Sequence, residues 1–239
     1  MKENVYDKLE ERLGYTFKDK ELLKHALIHR SYGNEHWEYK KINNERLELL
    51  GDAVLDLVVT EYLYKNFTKS SEGDLAKLKS MVVSEPVLAK ISRELGIGKY
   101  LLLSKGEELT GGRDRSSILG DVFEAVLGAI YLDSGSDFLV AKAYGTKLLE
   151  YQINHIEENE ELIDFKTILQ EHSQKSHKVT PVYEVVKETG PDHRKNFEIV
   201  VSINDEAVGR GNGRNKKSAE QSAAKDACKK LGVKAFEAL

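Results

Sequence analysis

The chain has 239 residues, 40% of them hydrophobic, and its 36 Lys/Arg against 40 Asp/Glu leave a formal net charge of −4. That length suits one large domain or two small ones with a real core, and no apolar run is long enough to span a bilayer, which argues against a membrane role. The single cysteine, Cys228, excludes an internal disulfide and a Cys-rich zinc site, so a reducing, cytoplasmic setting is expected.

The first 155 residues read as helix after helix. The opening MKENVYDKLEERLGY is too charged for a secretory signal. Apolar residues recur at steps of three and four over 4–13, 19–29, 44–66, 72–80, 85–95, 117–132 and 136–155. Asp19 suits an N-cap, and Ser84 with Pro86 marks another helix start. Gly14, Gly33, Ser70-Ser71, Gly96, Gly98 and Gly111-Gly112 punctuate the series. The acidic stretch HIEENEELID has little to bury and reads as a linker, placed at 156–163, or as a fraying helix end. Beyond it the period changes. A helix is predicted over 164–175, and VYEVVKET, NFEIVVSI and EAVGRG then alternate as strands. Gly190-Pro191-Asp192 and Asn204-Asp205 form the turns between them. An alanine-rich helix, KKSAEQSAAKDACKK, stops at Gly232, with Cys228 packing as a small apolar residue. The expected fold is an all-α N-terminal domain (1–155) followed by a small α+β domain of order α-β-β-β-α (164–234). Residues 161–239 hold 14 Lys/Arg against 12 Asp/Glu, so the acidic excess lies in the preceding part. That polarity suits a body that meets metal and a tail that meets nucleic acid.

Chemistry concentrates in two of the helical segments. In NNERLELLGDAVL, Glu45, Glu48 and Asp52 fall at steps of three and four, on one side of a helix. Glu48 and Asp52 lie among Leu47, Leu50, Val54, Leu55, Val58 and Val59, which should head for a core. In ILGDVFEAVLGAIYL, Asp121 and Glu124 are the only charges. A single acid on a helix ordinarily faces water. Four acids in such apolar settings require pairing, protonation or a cation, and jointly they favour an oxygen cage for Mg²⁺.

Other patterns carry less. His25 and His29 lack a third zinc ligand, no HExxH or GxxxxGK[ST] occurs, and GRGNGR at 209–214 is neither GxGxxG nor followed by a βαβ unit. GGRDR at 111–115 reads either as a solvated turn, favoured for Arg113, or as a phosphate contact, and His29 as structural or phosphate-facing.

The strings NERLELLGDAVL and GGRDRSSILGDVFEAVLGAIYLDSG closely resemble the two acidic blocks of the ribonuclease III family. HRSY at 29–32 and EGDLAKLKS at 72–80 match the family in the same order, and the C-terminal part resembles a double-stranded-RNA-binding domain. The resemblance implies an endonuclease body in which Glu48, Asp52, Asp121 and Glu124 bind metal, with Asp52 and Glu124 catalytic. Glu45 and Glu72 are given supporting roles, although Glu72 equally fits a solvated helix-start acid. The resemblance further implies Mg²⁺, with Mn²⁺ substituting, one or two ions per site, and a homodimer acting on double-stranded RNA. The products would carry 5′-phosphate and 3′-hydroxyl ends with a short 3′ overhang. Leu49 replaces a Phe usual in the family at a position resembling a knob that packs into the partner subunit. In the C-terminal domain, Gln170 and His193 match contacts to the minor grooves, and Lys216, Lys217 and Lys225 match contacts to phosphates near a helix start. Two rival readings are a duplex-RNA-binding protein with a silent helical body, and a nucleotide phosphohydrolase. The second would need a His-Asp ligand pair that the sequence lacks.

Overall fold

The computed structural model describes residues 6–154, 163–191 and 194–233. The chain divides into two units, Met1–Ile156 and Glu157–Leu239.

The first unit is helical. Its α-helices are α1 (Asp7–Leu13), α2 (Lys20–Ala26), α3 (Glu45–Asn66), α4 (Glu72–Val82), α5 (Glu85–Leu95), α6 (Lys105–Leu109), α7 (Ser116–Asp133) and α8 (Phe138–Asn154), with short 3₁₀ turns between some of them. Local chemistry sets many of the ends. The Asp19 carboxylate accepts from the Glu21 amide at 2.9 Å to open α2. Ser71 and Asp74 form a reciprocal capping box at α4. Gly96 closes α5 in the left-handed region, with φ +69°.

Two expectations are corrected here. The helix predicted over 19–29 stops at Ala26, because the Leu102 amide donates to the Leu27 carbonyl (2.9 Å) and the His29 amide to the Leu102 carbonyl (3.1 Å). Ile28 and Leu102 thereby form an isolated parallel bridge. The five-residue α6 was not foreseen, being too short to show a period.

Helix α7 is the core of this unit. Nearly every side chain from Ile118 to Ile130 apart from its two acids is buried, as an all-apolar helix requires. Phe123 alone, at 1% exposure, contributes about 1.5–3 kcal/mol by its burial. Helix α3 crosses α7 at two glycines. A Cβ on Gly51 would stand 1.8 Å from the Glu124 carbonyl oxygen, and one on Gly128 would stand 2.4 Å from that of Leu47. Only hydrogen fits at either place, so the two backbones touch. Two buried carboxylates order the N-terminal segment, and one of them, Asp133 on α7, ties it to this core. Asp133 accepts from the Asp19 amide (2.8 Å), the Lys18 amide (3.0 Å) and the Tyr15 hydroxyl (2.8 Å). Glu10 accepts from the Phe17 amide and from Lys20.

The second unit runs α9 (Phe165–His177), β1 (Val182–Thr189), β2 (Asn196–Ile203), β3 (Glu206–Gly213) and α10 (Lys216–Leu231), the order read from the sequence. The sheet is antiparallel in the order β1-β2-β3. Asn204 and Asp205 take positive φ (52° and 63°) in the two-residue turn between β2 and β3, as a tight hairpin demands. The glycines of GRGNGR are explained by packing. Gly209, Gly211 and Gly213 alternate onto one face of β3, where added Cβ atoms would stand 2.4, 2.1 and 2.3 Å from atoms of α10. Buried Ala219, Ala223, Ala224 and Ala227 answer them from the helix, around Leu169, Ile199 and Val201. Cys228 is buried in this core, and burial pushes its thiol up to about 11. The linker expected at 156–163 lies, except for Ile163, outside the described residues.

Candidate functional site

The glycine crossing fixes where the acids stand. Glu48 and Asp52 flank Gly51 on α3, and Asp121 and Glu124 lie on the α7 turns that meet it. Glu124 is the most perturbed of them. Burial, followed by the charges of Asp52, Glu48 and Asp121, pushes its carboxyl up to about 8. Glu48 is raised by burial and then by Asp121, Glu45 and Asp52, with Arg30 opposing. Asp121 is raised by burial and then by Glu85, again against Arg30. Across the helix seam, Asp52, Glu48 and Asp121 thus act on Glu124, and Asp121 on Glu48. Among the described residues none of the four carries an ion pair.

Asp52 departs from the expectation of a core-directed carboxylate. It is exposed, because the apolar residues around it point to the other side of α3, while Glu48, Asp121 and Glu124 are half-buried. Among the described residues no three His, Cys, Asp or Glu side chains already converge as a closed metal shell. The donor set nonetheless fits a hard divalent cation: oxygen-only, partly dehydrated, and short of positive charge.

A cleft of about 830 Å³ opens beside these acids, lined by His29, Arg30, Asn44, Glu45, Glu48, Arg115 and Asp121 among others. Glu45 belongs to it and is held by Arg30 at 3.6 Å and by the Asn43 side-chain amide at 3.0 Å. Glu72 is exposed in the first turn of α4, and no described contact joins it to the other acids. His29 lines the cleft, bonded through Nδ1 to the Ser31 hydroxyl at 2.9 Å, and burial lowers its pKa. His25 lines a different cleft, so the two histidines do not act together.

Sequence reasoning missed several members of this region. Asp56, which acts on Glu124 and pairs with Lys79 at 2.7 Å, stands four residues after Asp52, a spacing that could have revealed it. Glu85 on α5 and the buried Asn44 gave no local signal. In GGRDR the two arginines separate. Arg113 lies in the 3₁₀ turn Gly112–Asp114, but it is tied down rather than freely solvated: it donates to the Leu101 carbonyl (2.8 Å), the Gly98 carbonyl (3.2 Å) and Glu108 (2.7 Å). Arg115 faces the cleft and pairs with Glu107.

In the second unit Gln170 is exposed on α9, and Lys216 and Lys217 are exposed in the first turn of α10. Asn215 caps that helix, its side chain accepting from the Ser218 amide at 2.8 Å. The surface around Lys216 and Lys217 thus combines a helix N-terminus with two cations. Lys225 is half-buried, two turns further along. His193 lies outside the described residues.

Comparison with known proteins agrees with this arrangement. Residues 19–150 match the Ribonuclease-III-like family and residues 165–231 the double-stranded RNA binding motif. The chain is 57% identical over 239 residues to Ribonuclease 3 of Fusobacterium nucleatum, covering 99% of each. It is 47% identical to Ribonuclease 3 of a Nitratiruptor species, covering 94% of this chain and 96% of the relative. A crystal structure of the ribonuclease III nuclease domain from Campylobacter jejuni shares 50% identity and superposes with a TM-score of 0.56, over 64% of this chain and 97% of that one. Another structure of that domain, described for flexibility in a region involved in dimer formation, superposes at 0.57 over 61% of this chain and 96% of its own. With both units matched separately, and full-length relatives at this identity, the chain belongs to the ribonuclease III family.

Proposed function

We propose that the chain is an endoribonuclease that cleaves double-stranded RNA with Mg²⁺ as its ion, Mn²⁺ substituting. What supports the reading most is Glu124: a half-buried carboxyl raised to about 8, set against Asp52, Glu48 and Asp121 with no cation paired to it among the described residues. Glu48, Asp52, Asp121 and Glu124 would hold the cation, with Asp52 and Glu124 nearest the chemistry. When bound, such an ion activates water and neutralises charge on phosphate. With its carboxyl raised to about 8, Glu124 holds a proton near neutral pH in the absence of metal, and as a ligand it would serve in its carboxylate form. Glu45, held by Arg30, and Arg115 shape the cleft through which the RNA backbone approaches. Glu72 serves from outside this group, ordering water or RNA.

The second unit supplies duplex affinity. Gln170 and His193 face minor grooves, while Lys216, Lys217 and Lys225 meet phosphates without reading sequence. A working division of the chain is a nuclease domain at 1–155, a linker at 156–163 and the RNA-binding domain at 164–234. Cutting both strands needs two centres, which a homodimer provides. Leu49 is 73% exposed and Leu57 53% on the outer face of α3, a stripe suited to a second copy. Processing of rRNA and mRNA precursors in the cytoplasm, leaving 5′-phosphate and 3′-hydroxyl ends with short 3′ overhangs, completes the proposal. Among the described residues no helix is long and apolar enough to cross a membrane. The deciding experiment is incubation with a long perfect RNA duplex, with and without Mg²⁺. Short duplex products only when Mg²⁺ is present support the proposal, whereas intact RNA in both refutes it.

A further inference from the structure

We propose that the turn carrying Trp37 is a stacking platform for an unpaired nucleotide of the RNA, with Lys40 and Lys41 taking the adjoining phosphates. This rests on the double-stranded-RNA reading above. Trp37 is the only tryptophan in the chain and is 80% exposed. It opens the 3₁₀ turn Trp37–Tyr39, directly after the turn Arg30–Asn34.

The turn that carries Trp37 is held by ring contacts among its neighbours. The Tyr32 ring stacks on His36 at 4.0 Å and 27°, and contacts Tyr39 at 5.3 Å. The Lys24 ammonium lies 5.4 Å from the centre of the Tyr39 ring. The His36 amide donates to the Tyr32 carbonyl at 3.1 Å, and the Lys40 amide to that of Trp37 at 3.1 Å. Gly33 lets the two turns touch, since a Cβ there would stand 2.7 Å from the Lys40 Cα. A side chain carried on so ordered a base loses little freedom when it stacks.

Charge selects the partner. Lys40 and Lys41 are exposed and carry no ion pair among the described residues, and Glu38 is the one acid in the segment 36–41. Lysine is depleted at protein interfaces, whereas an aromatic face flanked by cations is how single-stranded nucleic acid is held. Position selects the place on the RNA. Arg30, Ser31 and Asn34 before the turn, and Asn44 and Glu45 after it, line the acid cleft. Trp37 is three positions after Asn34, so their Cα atoms are at most roughly 11 Å apart. Within an intact duplex the base faces are covered by their neighbours, so an indole finds a free face only at a bulge, internal loop or end. The segment therefore favours helices interrupted beside the cut.

Because Trp37 is the sole tryptophan, its fluorescence reports this contact without reference to cleavage. The full chain is titrated with a perfect duplex and with the same duplex carrying a two-nucleotide bulge. Titrations are run in EDTA, and again in Mg²⁺ with the Glu124→Gln chain to keep the RNA intact, while gel shift measures binding. Quenching is expected with the bulged RNA and little with the perfect one. Trp37→Ala, and separately Lys40→Ala with Lys41→Ala, should weaken bulged-duplex binding by about fivefold or more and perfect-duplex binding by less than about twofold. Trp37→Phe should retain part of the preference. Equal quenching by both RNAs, or binding in the gel with no fluorescence change in either condition, overturns the inference while leaving the nuclease reading intact. So does a Trp37→Ala defect confined to self-association, which would make the patch a protein contact. Absence of any duplex binding by the unmodified chain instead overturns the reading on which it rests.

Discussion

Replacing Glu124 with Gln should do two opposite things, and the pair tests the site more sharply than loss of activity alone. The variant keeps the shape of the side chain and removes its charge. In the native fold the Glu124 carboxyl is raised from 4.5 to about 8, first by burial and then by Asp52, Glu48 and Asp121. A group raised in this way binds its proton more tightly when folded than when unfolded. Stability without metal therefore falls as pH climbs from the unfolded value toward about 8, and levels off above it. At about 1.36 kcal/mol per pH unit the gap would reach roughly 5 kcal/mol, and solvent screening of a half-buried group reduces it to about 1–3 kcal/mol. In EDTA the Gln variant should match the parent at about pH 5 and melt higher at about pH 9, by roughly 2–10 °C. Adding Mg²⁺ should raise the parent's melting temperature more than the variant's, while cleavage by the variant stays nearly abolished and duplex binding survives. A variant no more stable than the parent at about pH 9 in EDTA, or one that cuts RNA normally in saturating Mg²⁺, would falsify the assignment of Glu124.

The remaining expectations are simpler. Gly51→Ala puts a Cβ 1.8 Å from the Glu124 carbonyl oxygen; it should cost about 3 kcal/mol in urea unfolding and most of the activity, and a fully active variant of unchanged stability would contradict the close crossing. A fragment of residues 1–155 should sediment as a dimer and cut RNA weakly at low salt, and Leu49→Glu should shift it to monomer; a stable monomer that still cuts both strands would refute the dimer. Lys216→Ala with Lys217→Ala should weaken all duplexes about equally and flatten the dependence of log affinity on log salt by roughly one unit per lost contact. An unchanged slope would reduce these lysines to a solvated helix start.

What the sequence made legible was whatever is written in local periodicity and end chemistry. The long helices α3 and α7 and the three strands carry a clear period, and Asp19, Ser71 and Gly96 act within one turn of their own positions. The acids stood out because their neighbours are apolar. Long-range pairings left no such trace. Asp133 binds amides 114 and 115 positions away, and Arg113 spends its guanidinium on carbonyls of another segment. The exposure of Asp52 depends on where α7 crosses α3, and that follows from two glycines in different helices. The early stop of α2 likewise depends on Leu102, far along the chain.

The contact of α3 with α7 at Gly51 and Gly128 has a consequence for how such a site can vary. Where two helices meet main chain to main chain, their spacing is set by atoms that every residue shares, so the crossing works as a ruler. Enlarging or trimming Phe123, Val126 or Leu55 alters how firmly the bundle holds together, yet leaves the interval between the two acidic rows nearly unchanged. Peripheral charges such as Asp56 with Lys79, or Glu85, can meanwhile retune the grip on a cation without moving that interval. Tolerance of the scaffold and constancy of the chemistry are thereby separated in one bundle, and the separation depends on two positions where the side chain is a hydrogen atom.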